Sequence, residues 1–106
     1  MDKVLDIDVQ TAKAWLDNDE AILIDVREQD EYELAHIEGA HLLPLSEFDA
    51  EQVPDIRDKK IIMQCRSGAR SHKAGVIAHD IDRPYTIYNM AGGILAWAAS
   101  GYPVKE

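Results

Sequence analysis

Two segments of this chain, Ala21-Ile22-Leu23-Ile24-Asp25-Val26 and Lys60-Ile61-Ile62-Met63-Gln64, are apolar at almost every position and rich in β-branched residues. A strand with one face in water alternates apolar and polar side chains. An unbroken apolar run marks a strand covered on both faces, the situation of parallel strands lying between helices. Around these two runs, shorter strand-like segments alternate with segments of helical pattern, which predicts an α/β domain.

In order along the chain, Leu5–Ile7 reads as a strand, and Asp8 is placed to cap a helix from Val9 to about Asp17 with Val9, Ala12 and Leu16 on one face. Glu28–Leu34 reads as a short helix, Ala35–Ala40 as a turn, and His41–Leu43 as an edge-like strand stopped by Pro44. Ser46 is expected to cap a helix through about Val53, and Asp55–Lys59 to form a polar loop before the second buried strand. After the loop Cys65–Arg70 comes a helix from Ser71 to about Asp80, with Ala74, Ile77 and Ala78 at helical spacing. Thr86–Tyr88 is a further strand, Gly92-Gly93 a turn, and Ile94–Ala99 a last helix carrying Trp97, closed by Gly101 and Pro103. A chain of 106 residues is sized for one hydrophobic core, so residues 1–106 are expected to form a single domain.

Twenty acidic residues stand against 11 basic ones, a formal net charge of −9, and no cluster of Lys and Arg is present. Nucleic acids and anionic membranes are therefore not expected partners. Any anion site must be a local concentration of N–H donors and Arg. The N-terminus lacks a basic segment followed by an apolar one, and no apolar run approaches spanning length, so a soluble, cytoplasmic protein is expected. One Cys and four scattered His give no disulfide and no metal set, and no cofactor is expected.

Cys65 follows the second buried strand, where loops leaving the carboxyl ends of parallel strands form the ligand crevice. Gly68 permits a tight curl with positive φ, so that the N–H groups of Arg66, Ser67, Gly68, Ala69, Arg70 and Ser71 can face inward at the start of the next helix. A thiol in that ring, beside Arg66 and Arg70, is shifted toward thiolate, the reactive form, without a separate general base.

Asp25-Val26-Arg27-Glu28 with Glu31-Tyr32, His36-Ile37-Glu38-Gly39-Ala40, the Cys65 loop, and Gly92-Gly93 with Trp97 and Gly101-Tyr102-Pro103 together resemble the signatures of the rhodanese family, in order and over nearly the whole chain. Ala35 departs from the glycine common before His-Ile in that family. The resemblance implies a three-layer α/β domain with a central, mostly parallel five-stranded sheet flanked by helices. It also implies sulfurtransferase chemistry, with sulfane sulfur carried from thiosulfate or a similar small anionic donor as a persulfide on Cys65. With no second Cys, the acceptor must be external: cyanide, a small thiol or a redox protein.

Other readings stand beside these. A lone Cys is usually an inert buried hydrophobe. Dual-specificity phosphatases also use a Cys-headed anion loop ending in Arg, but theirs is one residue longer than the four-residue gap between Cys65 and Arg70. A persulfide carrier or a non-catalytic interaction module of the same fold is a further alternative. Arg70 either faces the site or supports the loop by pairing with a carboxylate such as Asp25, and Arg66 either meets the donor, as its place beside the nucleophile favours, or is a solvated surface side chain. Asp25 and Arg27 are assigned to holding the loop backbone. Glu28, Asp30, Glu31 and Glu33 suit the first turns of a solvated helix. His72 is read as lying along its helix, His36, His41 and His79 as turn or surface residues, and Trp15 and Trp97 as core; Asn89-Met90-Ala91-Gly92-Gly93 is either a wall of the pocket with Met90 as an apolar rim, or a turn that requires Gly, or both.

Overall fold

The structure, a computed structural model, describes residues 4–53, 58–79 and 86–106, with the backbone alone at 50 and 79. The N-terminal three residues, most of the Asp55–Lys59 loop and the end of the third helix at Asp80 lie outside the described residues.

Five strands, β1 (Val4–Ile7), β2 (Ala21–Asp25), β3 (His41–Leu42), β4 (Lys60–Gln64) and β5 (Ile87–Met90), form one sheet in the order β1-β5-β4-β2-β3. Every pairing is parallel, so the sheet is wholly rather than mostly so. The two continuously apolar segments lie side by side, Ala21 opposite Lys60 through Asp25 opposite Gln64. Burial on both faces explains their lack of alternation: Ile61 and Ile62 point to opposite sides and are both 0 % exposed. Each such side chain contributes roughly 1.5–3 kcal/mol through burial.

Among the described residues four α-helices flank the sheet: α1 (Val9–Asp17), α2 (Gln29–Leu34), α3 (Ala69–His79) and α4 (Gly93–Ala99). On one face, Val4, Ile24, Val26, Ile61, Met63, Cys65 and Ile87 pack with Ala74 and Ala78 of α3. On the other, Leu23, Ile62 and Met90 pack with Val9 and Ala12 of α1 and Ile94 and Trp97 of α4. Asp8 caps α1 by accepting a 2.8 Å bond from the Thr11 N–H.

Four expectations change. The helix expected from Ser46 is two short 3₁₀ turns, Leu45–Glu47 and Ala50–Gln52; Ser46 sits inside the first and gives its hydroxyl to Glu28 Oε1 at 2.7 Å instead of capping. Helix α3 starts at Ala69, two residues before the expected Ser71, and its Ile77 is 38 % exposed because Ala74 and Ala78 provide the packed face. Trp97 is core as expected, whereas Trp15 is half-buried against the edge of Tyr88 with the Lys60 ammonium above it. Met90 is fully buried and forms no rim.

Candidate active site

Because all five strands are parallel, the loops after β2, β4 and β5 leave from the same edge of the sheet. Cys65 follows β4 directly, on the face covered by α3, and its side chain is 1 % exposed. Residues 65–68 curl over the sulfur before α3 begins. The Gly68 N–H donates to Sγ at 3.0 Å and the Ser71 hydroxyl lies 3.4 Å from it.

The curl is held from outside. Helix α4 begins with N–H groups that have no partner within the helix, and it spends them on the loop: Ile94 N–H donates to the Cys65 carbonyl at 2.9 Å and Leu95 N–H to the Arg66 carbonyl at 3.2 Å. The Gln64 side-chain amide adds a third bond, to the Cys65 carbonyl at 3.0 Å. With these carbonyls turned outward, the following N–H groups face the sulfur. Gly93 makes the approach possible, since a Cβ there would lie 2.3 Å from the Arg66 carbonyl oxygen. Gly68 takes φ +108°, and its own Cβ position is 3.3 Å from the Gly92 nitrogen.

Electrostatics follow from this packing. Burial pushes the Cys65 thiol up, but the Ser71 hydroxyl and the N–H groups of Ser71, Gly68 and Ser67 outweigh it, leaving the thiol more acidic than an ordinary cysteine. Neutral donors make the hydrogen bonds that stabilise the sulfur anion, while the Arg70 charge attracts it from a distance.

The predicted site residues divide. Arg66 and Ser67 are exposed in the curl, and Arg66 has no carboxylate partner among the described residues. Ala69, Arg70 and Ser71 belong to the first turn of α3 rather than to the loop. Ser71 reaches the sulfur, but Arg70 does not turn to it: its guanidinium pairs with Glu31, Nη1 to Oε1 at 2.7 Å and Nη2 to Oε2 at 2.9 Å. The hydrogen bond from Arg70 holds the Glu31 carboxyl at about 2, and Glu31 in turn raises the Arg70 guanidinium above its usual value.

Asp25 is therefore not the partner of Arg70; it binds Arg27, at 3.0 Å to Nε and 2.8 Å to Nη2, with both side chains buried. Arg27 then donates to the Ala35 carbonyl at 2.7 Å and to the Glu31 carbonyl at 3.5 Å. The expected direct grip of this pair on the loop backbone is absent among the described residues. Its link to α3 runs through α2 and Glu31. Glu31 was expected on a solvated face, and only the Glu31-Tyr32 signature hinted at more. Asn89, near the end of β5, is read from the sequence only as part of a segment walling the pocket; its Oδ1 contacts the Ser71 hydroxyl, a link the sequence does not signal. His72 lies on α3 with Nδ1 4.0 Å from Asp6 Oδ1, and His36 Nδ1 lies 3.0 Å from the Tyr32 carbonyl; neither enters the ring.

Residues 8–100 match the family model described as Rhodanese-like domain. The chain belongs to the rhodanese-like family. A rhodanese-related protein from Thermoplasma volcanium has the same fold, with TM-score 0.79 and 28% identity over 95% of this chain and 97% of that one. A thiosulfate sulfurtransferase from Pseudomonas aeruginosa matches with TM-score 0.83 and 25% identity over 97% of this chain and 20% of that one. A tRNA uridine(34) hydroxylase from Cronobacter sakazakii is 33% identical over 87% of this chain. The rhodanese-like chain spans only 29% of that relative's length. Among the described residues no helix is long and apolar enough to cross a membrane, and no three His, Cys, Asp or Glu side chains are grouped to hold a metal ion.

Proposed function

We propose that this rhodanese-like chain is a thiosulfate sulfurtransferase working through a Cys65 persulfide. One observation carries the reading: hydroxyl and N–H donors converge on a buried sulfur that no basic side chain among the described residues hydrogen-bonds. The Cys65 thiolate attacks the outer sulfur of thiosulfate or a similar small anion. The donor's S–S bond breaks, its electron pair leaves on sulfite, and the transferred sulfur stays on Cys65 as a persulfide. An external nucleophile, cyanide or the thiolate of a small thiol or redox protein, then attacks that outer sulfur and returns Cys65 to thiolate. The cycle is ping-pong.

Arg66 supports donor binding, being an exposed cation directly after the nucleophile. The depth of Cys65 suits a two-step transfer, since the added S–S bond of about 2 Å carries the reactive sulfur outward toward a bulkier acceptor. Phosphoryl transfer is disfavoured because Arg70, the cation a phosphatase would turn on its substrate, is already held bidentate by Glu31. We further read residues 1–106 as one domain, cytoplasmic and without nucleic-acid or membrane partners.

A second reading is favoured by the hydroxylase relatives: the chain corresponds to a portion of a longer RNA-modifying protein, and Cys65 carries sulfur for chemistry completed elsewhere. Thiosulfate-to-cyanide transfer by the purified chain distinguishes the two. Cys65→Ser should abolish this transfer without changing the circular dichroism spectrum, and the native protein should gain the mass of one sulfur atom on thiosulfate treatment. Retained transfer in the serine variant would sink the reading.

A further inference from the structure

Three acceptors surround the one hydroxyl proton of Ser71. Its Oγ lies 3.4 Å from Cys65 Sγ and 3.1 Å from the Gly68 carbonyl oxygen, and it contacts Asn89 Oδ1. A hydroxyl donates to one of these at a time. The sulfur meets an O–H when the proton is turned to it and an oxygen lone pair when the proton is turned away.

Asn89 is 4 % exposed and lies opposite Asp6 of β1 and Met63 of β4. Its amide is oriented from the side away from the sulfur: Nδ2 donates to Asp6 Oδ1 at 3.0 Å. An ionised carboxylate only accepts, so this bond selects the amide orientation that presents the carbonyl, not the NH₂, to Ser71. Ser71 thus has a fixed competitor for its proton. While Cys65 is a thiol, its S–H can donate to a Ser71 lone pair and Ser71 can donate to Asn89. When the thiol proton leaves to solvent, the hydroxyl must abandon Asn89 to reach the thiolate.

We propose that Asn89, oriented by Asp6 across the β1–β5 pair, is a positioning residue that sets the reactivity of Cys65 by competing with its sulfur for the Ser71 proton. The charged groups do not replace this device: Arg70 attracts the sulfur anion only at a distance. Arg70 of α3 is engaged by Glu31 of α2, Arg27 by Asp25 at the end of β2, and Asp6 faces His72 of α3 at 4.0 Å. Arg66 is in the curl itself, and β5 and α4 carry no charged side chain. The inference rests on Cys65 being the reactive thiol of the proposed transfer.

The test is the pH profile of Cys65 alkylation by iodoacetamide, read with the thiolate ultraviolet absorbance; Cys65 is the only cysteine in the chain. It uses no sulfur donor, so its failure is separate from failure of the sulfur-transfer reading. Asn89→Leu, similar in shape but without an acceptor, should move the midpoint to lower pH by about one unit, a tenfold gain in thiolate below the midpoint. Asn89→Asp should move it upward. Ser71→Ala should also raise it and should erase the effect of adding Asn89→Leu, which a merely structural role for Asn89 would not do. Asp6→Ala, a change at an exposed side chain, should shift the midpoint downward by a smaller amount because the amide is then free to turn. An unchanged or raised midpoint in Asn89→Leu, or the same shift with and without Ser71, would overturn the proposal. If Asn89→Leu does not fold, an unmoved midpoint in Asp6→Ala overturns it.

Discussion

Among the acidic residues of α2, Glu31 stands apart, because its carboxylate takes both arms of the Arg70 guanidinium and also accepts the Glu28 N–H at 3.0 Å. An arginine so occupied is a strut between α2 and α3, which is why the four-residue spacing from Cys65 does not yield a phosphate clamp. The pair also carries a pH signature. The Glu31 carboxyl sits at about 2 when folded against 4.5 ordinarily, with the Arg70 hydrogen bond as the main cause. A depressed carboxyl stabilises the fold fully above its unfolded value and loses that contribution as pH falls from about 4.5 toward 2. Since both side chains are about one-third exposed, solvent screening holds the contribution to about 1 kcal/mol. Glu31→Gln should therefore lower the urea-unfolding free energy by that amount at pH 7. The difference between variant and native protein should shrink as the pH is lowered to about 3, and a constant difference would show that the ion pair is not its source.

At the level of elements, the most active structural contact is the N-terminus of α4 against the loop after β4. The Gly93 φ of +61° and the 2.3 Å that would separate a Cβ from the Arg66 carbonyl make Gly93→Ala costly twice over, roughly 2–4 kcal/mol from conformation and overpacking together. The expected result is a lower thermal midpoint together with loss of sulfur transfer, because the carbonyls that α4 holds outward are those of Cys65 and Arg66. Full activity at a lowered midpoint would dissociate α4 from the site. The sequence made some elements readable and others not, for identifiable reasons. β2 and β4 were visible because burial on both faces writes itself into every position, and α1 because Asp8 caps three residues away. The contacts that finish the site are far apart in sequence: Arg70 meets Glu31 across 39 positions and Asn89 meets Asp6 across 83. No local periodicity encodes such pairs. The early start of α3 escaped for a related reason, since Ala69 carries no capping signal and the helix is fixed by the curl over Cys65. Ser46 misled because its hydroxyl is claimed by Glu28, 18 positions away.

At the scale of the molecule, five of the eight Lys and Arg among the described residues are consumed locally by carboxylates. Lys13, Arg27, Lys59, Arg70 and Lys105 each face a carboxylate within 4 Å, at Asp17, Asp25, Asp19, Glu31 and Glu38 respectively. With a net charge of −9, the described surface offers Arg66 as a local anchor for a small anion but no basic stripe along which a polyanion could lie. A small donor needs only one cation and the N–H groups of the curl. A nucleic acid needs several phosphates neutralised at once, and that term dominates its affinity. The consequence bears on the hydroxylase relatives, which are named for tRNA and more than three times as long as the matched region. If a longer protein of that kind uses this domain, we place RNA contact in its other parts. A mobility-shift titration of the purified chain against bulk tRNA at about 0.1 M salt, where charges beyond roughly 10 Å are screened, should show no retarded band. Retardation that weakens steeply with added salt would reveal a phosphate-binding surface and overturn the assignment of this domain to small-molecule sulfur chemistry alone.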